Sequence, residues 1–143
     1  MPIKNYTTKV PANRSIQEIQ DPLVKHGATG VLLEYERGTG RISALKFILP
    51  FNDKNIPFRL PTNWLKFQAV LKEQKVNRWD DEDYCYRVSW RIVRDWVMIQ
   101  MALYESELAQ IEEIFLPYAV TNDGQTFYEK ALDSPLLLGD GNI

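Results

Sequence analysis

The chain carries one Cys, Cys85, and one His, His26. Together they could serve nucleophilic catalysis, which needs a lowered thiol pKa and a base within reach. Cys85 falls near the start of a predicted helix, where the dipole favours thiolate. It also belongs to an apolar stripe with Val88, Ile92, Trp96, Ile99 and Leu103, so a small core residue is the expectation. His26 sits between Lys25 and Gly27, the pattern of a cation at a helix end. One Cys excludes an internal disulfide, and one Cys with one His supplies no zinc ligand set. Asp80, Asp81, Glu82 and Asp83 could attract a hard cation, but they lack EF-hand spacing and suit a helix N-terminus. Gly38-Thr39-Gly40 joins two strands rather than a strand and a helix, so it reads as a hairpin turn and not a phosphate loop. Glu34 and Glu36, with Lys46 and Arg59, read as cross-strand ion pairs more simply than as an acid–base site. There is no Ser-His-Asp set, Walker motif or glycosidase-type carboxylate pair. No catalytic residue, metal or cofactor is assigned.

The cations point to a different chemistry. Residues 1–78 hold 13 Lys and Arg against 6 Asp and Glu; residues 79–143 hold 4 against 13. The overall charge of -2 therefore hides a basic half and an acidic half. The two halves could neutralise each other within one fold, or the basic half could face an anion. Arg37 and Arg41 flank the hairpin tip, Lys46 and Arg59 project from the outer sheet face, and Lys66 and Lys72 lie on the polar side of the next helix. Arginine can hold phosphate through two parallel hydrogen bonds. Tyr6 and Trp79 are aromatics that could stack on bases. The ligand-binding set is thus Arg37, Arg41, Lys46, Arg59 and Lys66. Glu34 and Glu36 on the same face disfavour a long duplex, leaving a short strand or a nucleotide.

These residues must be positioned by a single domain of 143 residues, split into a sheet-containing basic half and a helical acidic half. Ser15-Ile16-Gln17-Glu18 reads as a capping box opening a helix with Ile16, Ile19 and Leu23 on one face. Asp21-Pro22 predicts a kink, or two pieces with Asp21 capping the second. Strands follow at 29–37 and 41–49. A three-residue loop with Gly40 in the left-handed conformation pairs Val31 with Phe47, Leu33 with Leu45 and Tyr35 with Ser43. A third strand at 56–60 contains Pro57 and belongs at an edge. Residues 3–10 could add a fourth strand. Thr62 caps a helix with Trp64, Phe67 and Leu71 as its stripe. Lys75 to Asp80 is a polar joint leading to the longest helix, about 82–106. A shorter helix near 107–116 precedes Pro117, and Asn122-Asp123-Gly124 is a turn. The apolar tail Pro135-Leu136-Leu137-Leu138-Gly139 docks or is mobile. The whole is an α+β domain: a three- to four-stranded antiparallel meander packed on helices. Residues 15–78 alone read α-β-β-β-α, an order that echoes double-stranded-RNA-binding domains, without a basic cluster opening the second helix.

The long helix has a second apolar stripe, Tyr86, Trp90, Val93, Val97, Met101 and Tyr104. A surface helix normally carries one apolar face. This one, about 37 Å long, predicts sharing with a second copy, centred on Trp90, Val97, Met101 and Tyr104.

Lys4-Asn5-Tyr6-Thr7-Thr8-Lys9-Val10-Pro11, Phe58-Arg59-Leu60-Pro61, Trp90-Arg91-Ile92-Val93-Arg94-Asp95-Trp96-Val97 and Phe115-Leu116-Pro117-Tyr118 resemble stretches of a family of small uncharacterised proteins from tailed bacteriophages and prophages. Asp21-Pro22 departs from the unbroken helix expected there. The resemblance implies an accessory protein in the cytoplasm of a bacterial host and transfers no catalytic residue. The absence of a signal-peptide h-region and of an 18-residue apolar run agrees with that expectation. Two functions follow: a non-catalytic binder of a phosphate-bearing ligand, or an oligomeric module that inhibits a host protein through its acidic helical half.

Overall fold

In the computed structural model, which describes residues 2–134 and 138–141, strands β1 (Gly30–Tyr35), β2 (Ile42–Phe51) and β3 (Lys54–Pro61) follow helix α1 (Ala12–Lys25). Helices α2 (Trp64–Glu73), α3 (Glu82–Glu105), α4 (Ile111–Phe115) and α5 (Phe127–Asp133) complete an α+β fold. The sheet is an antiparallel meander in the order β1-β2-β3. Val31 pairs with Phe47 and Leu33 with Leu45, as core patterning requires. The third pair differs: Tyr35 meets Ile42, because a bulge leaves Ser43 without an opposite residue. Gly40 takes the left-handed conformation at φ 71°. The β2–β3 turn places Asn52 and Asp53 at φ 49° and 65°, the two positive values of a type I′ hairpin. It lengthens both strands beyond their apolar patterns.

Several helix ends fall elsewhere than the sequence implies. Helix α1 begins at Ala12, so Ser15 is not a cap. Ala12, Ser15, Ile16, Ile19 and Leu23 form one buried face that runs a turn further back than the aliphatic residues alone suggest. Pro22 lies inside an unbroken α1, and Asp21 accepts from the Gln17 amide instead of capping a second piece. Gly27 and Ala28 close α1 on the carbonyls of Val24 and Leu23, the paired bonds of a Schellman motif. Asn63, not Thr62, caps α2 by accepting from the Leu65 amide. Residues 3–10 form no strand: Tyr6 and Thr8 donate to Ile3 and Asn5 in consecutive turns. The helix expected near 107–116 is only α4, continued through Pro117 by a 3-10 turn (Leu116–Tyr118). Helix α5, not anticipated, opens with a Thr126/Glu129 capping box. Most of the apolar tail lies outside the described residues.

Most of the long helix is covered within one chain, although Met98 and Ile99 stay 38% and 59% exposed. Trp90 and Val97 are fully buried and Met101 nearly so, in a core shared with α1, the inner sheet face and α4. Tyr104 packs against that core and meets His26 edge-on, with ring centroids 5.0 Å apart. The opposite side, Tyr84, Cys85 and Val88, packs with Trp64 and Leu71 of α2. Trp90, Val97 and Met101 are therefore interior, not an interface between copies. The neighbouring helices are short, but α1 with the sheet and α2 take different sides of α3, which is what buries these three side chains. Among the described residues, no helix is long and apolar enough to cross a membrane. Trp90→Ala is expected to cost about 3–5 kcal/mol in urea unfolding, the range for buried large aromatics. A loss under about 1 kcal/mol would put the ring outside the core.

Candidate functional site

The five cations assigned to a ligand lie in three separate places. Arg37 is exposed at the hairpin tip and Lys66 is exposed on α2. Arg41 is engaged internally: Nη1 donates to Glu82 at 3.2 Å and Nη2 to Asp83 at 2.9 Å. Its guanidinium carbon lies 5.0 Å from the Trp64 ring centroid. The Asp83 hydrogen bond raises the Arg41 pKa in spite of burial. On the outer sheet face, Arg59 Nε and Lys46 Nζ lie 3.2 and 3.3 Å from Glu34 Oε1. The Arg59 hydrogen bond holds the Glu34 carboxyl below its usual pKa. Glu36 accepts from the Thr39 hydroxyl at 2.7 Å and the Trp64 indole at 3.1 Å. Glu34 is thus in the expected cross-strand ion pairs, whereas Glu36 accepts from the neutral Thr39 and Trp64 groups instead.

Nor do the single Cys and His meet. Cys85 is buried, burial raises its pKa, and its thiol donates to the Trp79 carbonyl. His26 Nε2 lies 3.0 Å from Glu105 Oε1, at the far end of α3. Twenty residues of helix separate the two, about 30 Å. At the near end, Asp81 caps α3 by accepting from the Tyr84 amide.

Exposed cations do converge elsewhere. A groove of about 380 Å³ runs between the N-terminal arm and the joint linking α2 to α3. Tyr6 and Lys9 come from the arm, Lys75 and Arg78 from the joint, and Tyr84 from the first turn of α3. No carboxylate is among its lining residues. Arg78 is fixed by two contacts: Nη2 donates to Asp81 at 2.6 Å, and the guanidinium carbon lies 4.9 Å from the Tyr84 ring. Arg87 covers the same ring at 5.7 Å. Burial pushes the Tyr84 hydroxyl pKa up, against the opposing charge of Arg78. Lys75 has φ 58°, the left-handed conformation at the end of α2. Lys75 and Val76 there donate to Lys72 and Leu71, the Schellman pattern that glycine fills most easily.

The arm is held at two points. The Ile3 amide donates to Gln74 Oε1 at 2.6 Å, and Ile3 packs near Leu71. The Asn5 amide donates to Asp95 Oδ2 at 2.8 Å, and Lys4 Nζ lies 3.4 Å from the same oxygen. Of the two stacking candidates, Tyr6 is 37% exposed and lines the groove. Trp79 is half-buried, with Lys72 Nζ 4.8 Å above its ring. The sequence shows the joint as polar, but only the fold brings Lys9 to it. No known protein family, curated protein or solved structure matches the chain.

Burial pushes the Asp95 carboxyl up, but hydrogen bonds from Asn5, Arg94 and Lys4 outweigh it, and its pKa is lowered. A carboxyl lowered by folding contributes stability above its unfolded pKa, and that contribution fades as pH falls through the folded one. The arm should therefore stay docked at neutral pH and loosen below about pH 4. Hydrogen exchange at the Tyr6 and Thr8 amides, corrected for intrinsic rates, is expected to show this. Asp95→Asn should loosen the arm already at pH 7; unchanged protection in that variant would disprove the latch.

Proposed function

We propose that the protein is a non-enzymatic binder of a phosphate-bearing ligand, and that the ligand occupies the groove between the arm and the α2–α3 joint. The observation that carries this reading is the convergence of Lys9, Lys75 and Arg78 on a cleft with no lining carboxylate. Its volume lies within the range of about 300–1,000 Å³ common for small-ligand sites. Arg78 has one nitrogen on Asp81 and keeps further donors for an anion. Lys75 supports the same reading. Its exposed side chain lines the cleft from a backbone that the ending of α2 holds in place. With this goes the phage resemblance, which implies an accessory protein inside a bacterial cell.

A second reading, a protein-binding module in the acidic helical half, draws on α5. Phe127, Tyr128 and Leu132 there are 40, 58 and 63% exposed.

Lys75→Gly separates binding from stability. It should weaken binding of phosphate compounds about tenfold while leaving stability unchanged or up to about 1 kcal/mol higher. Binding should also weaken as salt rises, because phosphate contacts release counterions. Arg41→Ala should leave binding intact and lower stability by about 0.5–1 kcal/mol, since Glu82 and Asp83 are exposed enough to be solvated and the main loss is the guanidinium packed on Trp64. Calorimetric titration and urea unfolding check both variants. Retained affinity in Lys75→Gly would move the site away from the groove and favour α5.

A further inference from the structure

The groove is bounded in a way that limits what fits. Glu73 lies just before the joint, and Asp80, Asp81, Glu82 and Asp83 lie just after it. Arg78 and Arg41 offset three of these five carboxylates, but their own charge is then shared. A polyanionic strand leaving the groove along the start of α3 would run into Asp80 and its neighbours. Like charges at an interface act against such a partner. Within the groove, the cations occupy a short span. Lys75 and Arg78 are three residues apart on one tight joint, and Lys9 faces them from the arm. That span suits one phosphate group or a compact polyphosphate. Beside it stands Tyr6, exposed and in no ring contact among the described residues, while the Tyr84 ring is covered by Arg78 and Arg87.

Resting on the phosphate-binding reading above, we infer that the ligand is a single nucleotide: one phosphate or polyphosphate group held by Lys9, Lys75 and Arg78, and one base stacked against Tyr6. The specificity is set by size and charge at the rim, so the protein discriminates against strands.

Calorimetric titration at about 50 mM salt tests this with inorganic pyrophosphate, ATP, dT5 and dT15. ATP is expected to bind about fivefold or more tighter than pyrophosphate, the contribution of one stacked base. Tyr6→Ala should erase that advantage and leave pyrophosphate binding unchanged, while Tyr6→Phe, which keeps the ring, should retain it. The two oligonucleotides should bind no tighter than ATP. An affinity that rises about tenfold from dT5 to dT15 would overturn the inference in favour of a strand, since strand contacts add along the length. Equal binding of ATP and pyrophosphate, unaffected by Tyr6→Ala, would remove the base while leaving the anion site standing. Binding of none of the four probes would sink the phosphate reading itself.

Discussion

Helix α3 is apolar around most of its circumference, and the remaining elements are placed by the need to keep that surface from water. Burial of apolar area is the dominant favourable term in folding. Helix α1 and the inner sheet face take one side of α3, α2 takes another, and the arm lies across it through Asp95. Polar tips then fix the arrangement. The Trp90 indole donates to the Ile42 carbonyl at 3.2 Å, and the Ile42 amide donates to the Tyr86 hydroxyl at 2.9 Å. The first residue of β2 is thereby tied to α3 in both directions. Arg41, its neighbour, reaches the acidic start of the same helix. Arg41 is drawn into structural pairing because its end of the hairpin docks there, while Arg37 at the tip stays exposed.

The charge division along the chain is partly resolved by this docking. Arg41 with Glu82 and Asp83, Lys4 with Asp95, and Arg78 with Asp81 all join the basic half to the acidic one. A further network stays close to α3: Glu18 of α1 accepts from Arg91 at 2.7 Å and lies 3.3 Å from Arg94 Nε. Arg37 at the hairpin tip and Lys66 on α2 stay exposed apart from these pairs. Lys9 and Lys75 keep their charge at the groove. The sequence tally measured how much basic charge there is, and the fold decides which part of it faces outward.

Legibility followed the range of the interaction. The β1–β2 register was readable because alternation of side chains makes the wrong choice bury Lys46, and only the bulge at Ser43 escaped. Bounds of α3 were readable from the acidic run Asp80 to Asp83 at its start and from unbroken periodicity, and the structure makes Asp81 the cap. Ser15 misled because a small hydroxyl residue fits both a cap and a tightly packed helix face. The Thr126-Glu129 box that opens α5 was present in the sequence but has no long apolar run after it. The groove could not be read, since Lys9 and Arg78 become neighbours only when the arm crosses the start of α3. Lys75 gave no local sign, because its left-handed backbone is imposed by how α2 ends.

The arm contacts also bear on the order of assembly. Ile3 and Gln74 are 71 residues apart in the chain, and Asn5 and Asp95 are 90 apart. The meander, by contrast, closes through turns of a few residues. Chain-closure entropy grows with the intervening length, and contacts of long range form late. The core around Trp90 and Phe47 needs none of the arm's hydrogen bonds. The contacts of α1 with α3 span as many residues, 73 from Glu18 to Arg91, so what sets the arm apart is how few bonds hold it: freeing it removes one wall of the cleft and leaves Trp90 and Phe47 covered.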